Sequence, residues 1–155
     1  MAATPPVAQT IADLQAFYDK RVADQEEGTP GYGAAWKELV AVILGHGGVA
    51  VVPPTSCEDD IPKLLGGGCV ERKVRLVKGP PSRCHTTTAT YWEEGKLDAI
   101  VTGYALTRDG LWRQHSWGLS DGTVIEPTMR RVAYFGIELR GAEADNFAGE
   151  VLFWD

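Results

Sequence analysis

Three side chains of this 155-residue chain have the chemistry of a thiol nucleophile and its activators: Cys84, His115 and Glu126. A thiol of pKa about 8.5 is only slightly ionised at neutral pH, so its attack on an amide or ester carbonyl needs a proton acceptor within about 3 Å. Imidazole fills that role, and a carboxylate on its second nitrogen fixes the tautomer and stabilises the imidazolium. Taken singly, each residue has a plainer reading. A free cysteine is most often buried and inert, a lone histidine is most often a satisfied structural residue, and a glutamate at a strand end is most often solvated. What lifts these three above that reading is where the surrounding pattern puts them.

The segment from Val101 to Thr128 contains two hairpin signals, Arg108-Asp109-Gly110 and Ser120-Asp121-Gly122, set between β-rich runs. Three consecutive antiparallel strands are predicted, at about Ala99 to Leu106, Leu111 to Leu119 and Thr123 to Thr128. Strand alternation puts Leu111, Arg113, His115, Trp117 and Leu119 on one face. The third strand, folded back through a tight turn, carries Glu126 beside His115. Cys84 follows Gly79-Pro80-Pro81-Ser82-Arg83, which cannot continue a strand, and precedes His85 to Glu94, a predicted helix ended by Gly95. The thiol then lies in a first helical turn, where unpaired N–H groups, the positive dipole end and Arg83 favour a thiolate. Three threonines weaken that helix. The Cys84 backbone N–H would be half of an oxyanion hole. Gln114 should point away from the His115 face, and the residues name no second donor. Trp112 and Trp117 read as packing.

Cysteine at a helix start, Ala89 five residues on, a strand with Val101-Thr102-Gly103-Tyr104, then His115-Ser116-Trp117 and Glu126-Pro127-Thr128: this order resembles the transglutaminase-like branch of the papain-like cysteine enzymes. Ser116 stands where that pattern has alanine and Glu126 where it has aspartate, one methylene longer. The resemblance covers about Ser82 to Thr128. It implies a nucleophile at Cys84, a base at His115 and an orienting carboxylate at Glu126. It also implies an α+β, papain-like fold with N-terminal helices packed on an antiparallel β-sheet, and acyl transfer from an amide or peptide bond to water or an amine. The substrate would be a peptide, a protein or a small amide, and no cofactor is called for. The competing expectation is a catalytically idle member of the same fold used as a peptide- or protein-binding module, since fold does not dictate function.

The rest of the chain bounds these readings. With 44% hydrophobic residues the sequence reads as one domain over residues 1–155, residues 1–8 fraying. A net charge of −6 and a pI near 5.1 argue against nucleic acid as a partner. No apolar run spans a bilayer and no signal-peptide pattern opens the chain, so a cytoplasmic, non-membrane protein is expected. Three cysteines suit a reducing compartment. Cys57, Cys69, Cys84 and His85 include no Cys-x-x-Cys pair, so no metal site is expected. His46 and His85 have no obvious partner in the sequence and read as exposed or capping residues.

Helices are predicted at Ile11 to Gln25, with Ile11, Leu14, Phe17, Tyr18 and Val22 as its apolar stripe, and at Ala34 to Leu44, ending in a Gly45-His46-Gly47-Gly48 cap and turn. A short strand at Val49 to Val52 follows, then a loop, Thr55 to Gly68, with at most one helical turn near Ile61 to Leu65, read as a surface connection or a lid. Cys69 to Val77 reads as one strand and Arg131 to Leu139 as another. A turn of helix at Ala142 to Gly149 and an apolar tail, Val151 to Trp154, end the chain.

Overall fold

The computed structural model of the protein describes residues 7–77 and 83–153, with side chains from residue 12 to residue 152. The fraying expected of Met1–Ala8 thus falls mostly outside the described residues, as do Gly79 to Ser82 and Trp154. Among the described residues five helices and seven strands follow in order: α1 (Val7–Gly28), α2 (Tyr32–Leu44), β1 (Ala50–Val51), α3 (Ile61–Gly67), β2 (Cys69–Glu71), β3 (Val74–Leu76), α4 (Cys84–Glu93), β4 (Ala99–Leu106), β5 (Leu111–Ser120), β6 (Thr123–Glu126), β7 (Ala133–Leu139) and α5 (Ala142–Phe153).

The architecture is α+β, with N-terminal helices against a curled sheet of order β2-β7-β4-β5-β6-β3 and β1 beside β5. The sheet is mixed rather than antiparallel, because β1 runs parallel to β5 and β3 parallel to β6. The single strand expected from Cys69 to Val77 is two short ones at opposite ends of the sheet, β2 on β7 and β3 on β6. Alternation is blind to this, since both halves keep period two while changing partner. Glu71 and Val74 are three Cα steps apart, at most about 11 Å. The two ends of the sheet must therefore approach each other, and the curl follows.

The two faces of the curl differ. The inner side of β4 carries small residues, Ala99, Val101, Gly103 and Ala105, against Trp117, Leu119, Val124 and Tyr134. The outer side carries Ile100, Tyr104, Trp112, Phe135 and Ile137, packed with Trp36, Leu39 and Ile43 of α2, Ala89 of α4 and Ala144 and Ala148 of α5. α2 buries Tyr32, Trp36, Leu39 and Ile43, a helical stripe. On α1, Tyr18 is buried, but Phe17 is exposed and lies under the Arg21 guanidinium; Ile11's side chain lies outside the described residues. α3 is a full helix, anchored by buried Ile61 and Leu64. α5 runs past Gly149 into the segment read as a tail, because Ala144 and Ala148 bury against the sheet and Asp145 accepts from the Trp92 indole of α4 at 2.8 Å.

Both hairpins form where Gly accepts a positive φ: Gly110 at 86° after Asp109, and the pair Asp121 at 51° and Gly122 at 73°, the geometry of a two-residue type I′ turn between Ser120 and Thr123. α4 forms despite its threonines, since Thr88 and Ala89 bury one face and α5 packs along it.

Candidate active site

The tight Asp121-Gly122 turn sets the β5–β6 register, pairing Gly118 with Ile125 and Leu119 with Val124. One further step puts Glu126 level with Trp117, on the inner face and diagonal to His115. His115 is 3% exposed and Glu126 is fully buried. The ring Nε2 lies 2.8 Å from Oε1 and 3.1 Å from Oε2 of Glu126. On β4 the residue paired with His115 is Gly103, whose own partner on β7 is Gly136. A Cβ on Gly103 would stand 2.2 Å from the Phe135 carbonyl oxygen, so the backbones approach as only glycine permits. The imidazole gains a bare neighbour on that side, and Trp117 stacks along it at 5.8 Å between centroids.

The carboxylate is held by more than the imidazole. The Thr128 N–H donates to Oε2 at 2.9 Å and the Thr128 hydroxyl at 3.3 Å, while the Tyr134 hydroxyl donates to Oε1 at 2.8 Å. Burying a bare carboxylate costs several kcal/mol, and each bond to a charged group returns about 1.5–3 kcal/mol. These three donors and the imidazole beside them therefore favour an ionised Glu126. Burial pushes its pKa up, but His115, the Thr128 N–H and Tyr134 together hold it below the ordinary carboxylate value. Burial likewise pushes His115 down, and the hydrogen bonds and charges of Cys84 and Glu126 raise it, with a net rise.

Cys84 is the first residue of α4 and half-buried. β6 leaves β5 at Gly118 and β1 meets it only at Leu111 and Trp112, so that edge of β5 has no strand partner from 113 to 117 among the described residues. The start of α4 comes up to this gap. His85, the second residue of α4, places Nδ1 2.8 Å from Ser116 Oγ, which in turn donates to Thr102 Oγ1 at 3.2 Å. Burial raises the Cys84 thiol, but a hydrogen bond with His115, the imidazole's charge, and the N–H groups of Ser116 and His85 outweigh it and leave the pKa lowered. Nε2 is turned to Glu126, so Nδ1 is the ring nitrogen that the carboxylate does not engage.

His115 and Glu126 are thus in direct contact, and Cys84 lies within reach of the imidazole's influence. Gln114 is exposed and lies off this face, in a cleft of about 360 Å³ lined also by Cys57, Glu58, His85, Thr102 and Phe147. His46 and His85 are exposed, as expected, yet both have partners: His85 bonds Ser116 and meets the Phe147 ring edge-on, and His46 stacks on Phe135. Tyr134 and the Ser116 hydroxyl were not singled out from sequence. A tyrosine in an apolar strand looks like any core aromatic until the register shows which face it takes. Among the described residues no three His, Cys, Asp or Glu side chains are grouped to hold a metal ion, and no helix is long and apolar enough to cross a membrane. No family model, curated protein or solved structure matches this chain.

Proposed function

We propose that the chain is a cysteine-dependent acyl-transfer enzyme of transglutaminase-like, papain-like type, with Cys84 as nucleophile, His115 as base and Glu126 as the carboxylate that orients it. The observation that carries this reading is the buried His115–Glu126 pair at 2.8 Å, coupled to a thiol that the same imidazole lowers.

The chemistry follows in two steps. The Cys84 proton passes to Nδ1 of His115, and the sulfur attacks the carbonyl carbon of an amide or ester. The oxyanion that forms lies against the first turn of α4, whose Cys84 N–H has no intrahelical acceptor; such a donor is worth roughly 3 kcal/mol of barrier. The imidazolium returns its proton to the departing amine or alcohol, leaving a thioester on Cys84. Water or a second amine, deprotonated by His115, then attacks the thioester and releases the thiol. Glu126 stays ionised throughout and offsets the charge on the ring.

Limited alkylation with iodoacetamide at pH 6–7, followed by peptide mapping, tests this without a known substrate. Cys84 is expected to label about tenfold faster than Cys57 or Cys69. Its larger thiolate fraction outweighs the lower nucleophilicity that a lower pKa brings. Cys69 makes the comparison strict, because it is exposed whereas Cys84 is half-buried. His115→Ala is expected to erase the preference. Equal labelling of all three, or a Cys84 that reacts only after denaturation, would overturn the reading and leave a peptide-binding module in its place.

A further inference from the structure

We propose that Tyr134 is a positioning residue of this site: it holds Glu126 so that His115 keeps its ring proton on Nε2 and turns the Nδ1 lone pair to Cys84. This rests on the reading of Cys84 as nucleophile, but the tautomer it asserts is measurable without it.

The Tyr134 hydroxyl has one proton to give. The Arg131 backbone N–H donates to its oxygen at 3.0 Å, so that proton is committed to Glu126 Oε1 at 2.8 Å. Oε1 is also the carboxylate oxygen nearest His115 Nε2, at 2.8 Å. The proton between Nε2 and Oε1 can sit on either atom. A hydroxyl already donating to Oε1 lowers that oxygen's basicity, and Thr128 does the same at Oε2, so the proton stays on nitrogen. The alternative, a neutral acid facing a ring protonated on Nδ1, would present the thiol with a donor where it needs an acceptor.

Tyr134 also removes a freedom that glutamate brings. Its side chain has one more torsion than the aspartate of the related pattern, and with Thr128 alone the carboxylate could pivot about Oε2. The tyrosine pins the other oxygen. Its own ring is fully buried, edge-on to Trp117 at 5.0 Å, and Trp117 in turn stacks on His115, so the hydroxyl cannot follow a moving carboxylate.

The test reads His115 directly. In a Cys84→Ala protein, which has no thiol to pass a proton to the ring, the 15N shifts of neutral His115 report its tautomer. The Nε2–H form is expected to dominate, and Tyr134→Phe, which removes one oxygen, is expected to convert it to a mixture. In the protein retaining Cys84, the same substitution should slow iodoacetamide labelling at pH 6–7 several-fold and move the acid limb of the rate profile to higher pH, since Glu126 has lost a donor. Unchanged tautomer populations in Tyr134→Phe would overturn the proposal. Should that variant not fold, an Nδ1–H ring in the Cys84→Ala protein overturns it equally. If wild-type Cys84 labels no faster than Cys57, the nucleophile reading fails while the tautomer measurement still decides the role of Tyr134.

Discussion

The sheet carries the same polar pair twice, once on each face. On the inner face Tyr134 donates to Glu126 at 2.8 Å; on the outer face Tyr104 donates to Glu58 at 2.8 Å. Both tyrosines are fully buried, and burial first, then the neighbouring carboxylate, raises both phenols. Their surroundings separate them. Glu58 accepts the Asp60 N–H at 3.0 Å, and its own N–H donates to the Tyr32 hydroxyl at 2.9 Å, so the pair ties the loop before α3 to the sheet and to α2. Glu126 instead spends its remaining contacts on an imidazole and on Thr128. A tyrosine–carboxylate pair is thus a fastening by default; the inner one differs in that its carboxylate also meets an imidazole, and the proposed chemistry rests on that difference. The loop that Glu58 fastens is further held by Arg21 and Gln25 of α1, which donate to the Pro53 and Pro54 carbonyls, so it is a strap bound at several points.

Exchanging each carboxylate for its amide breaks the comparison most sharply. Glu126→Gln places an uncharged group against Nε2 and is expected to lower hydrolysis of an activated ester about 10⁴-fold, the scale known for removing the charge behind a catalytic histidine. Glu58→Gln should leave that rate within a few-fold. Equal losses in the two variants would show that the inner pair is only another fastening. A fully active Glu126→Gln would show that another group orients His115.

Much of the site could be read before any coordinates, for a physical reason. His115 and Glu126 sit on strands joined by Asp121-Gly122, and a two-residue turn dictates register, so local chemistry was enough to bring them together. The helix start at Cys84 was legible from the prolines before it. What escaped were partners set by distant pairing. Tyr134 reaches Glu126 only because β7 lies beyond β4, and His85 finds Ser116 because α4 meets the open stretch of β5. The division of Cys69 to Val77 between two sheet ends escaped for the same reason. Nothing local marks Arg72 and Lys73 as the link between two strands of different partnership.

Stability against pH offers a gentler contrast. Glu126 is lowered on folding, so its contribution is present above its ordinary value of about 4.3 and is lost as pH falls through the lower folded value. His115 is raised, so its contribution is full below about 6.5 and is lost as pH rises through the higher folded value. The pair therefore contributes fully between about pH 4.3 and 6.5. Thermal melting followed across pH should show its His115-dependent part there, declining on the alkaline side. His115→Ala should flatten that alkaline decline, while Glu58→Gln should not alter it. An alkaline limb indifferent to His115→Ala would mean the imidazole carries no charge in the folded protein at neutral pH.

The smallest effect belongs to the outer hydroxyl. Tyr104→Phe removes one donor from Glu58, whose Oε2 keeps the Asp60 N–H and whose side chain is only half-buried, so water can replace what is lost. The cost is that of one hydrogen bond to a charged group with partial rescue, about 1 kcal/mol, or a fall in Tm of about 2–4 °C for a chain of this size. The Tyr104 ring itself stays packed edge-on to Trp36 at 5.9 Å, so the apolar core is not disturbed. Iodoacetamide labelling of Cys84 should be unchanged, since Tyr104 lies on the opposite face of β4 from Gly103, the residue paired with His115. Labelling that slowed in Tyr104→Phe as much as in Tyr134→Phe would mean the two faces are coupled through the sheet. The distinction between a fastening pair and a chemical one would then fail.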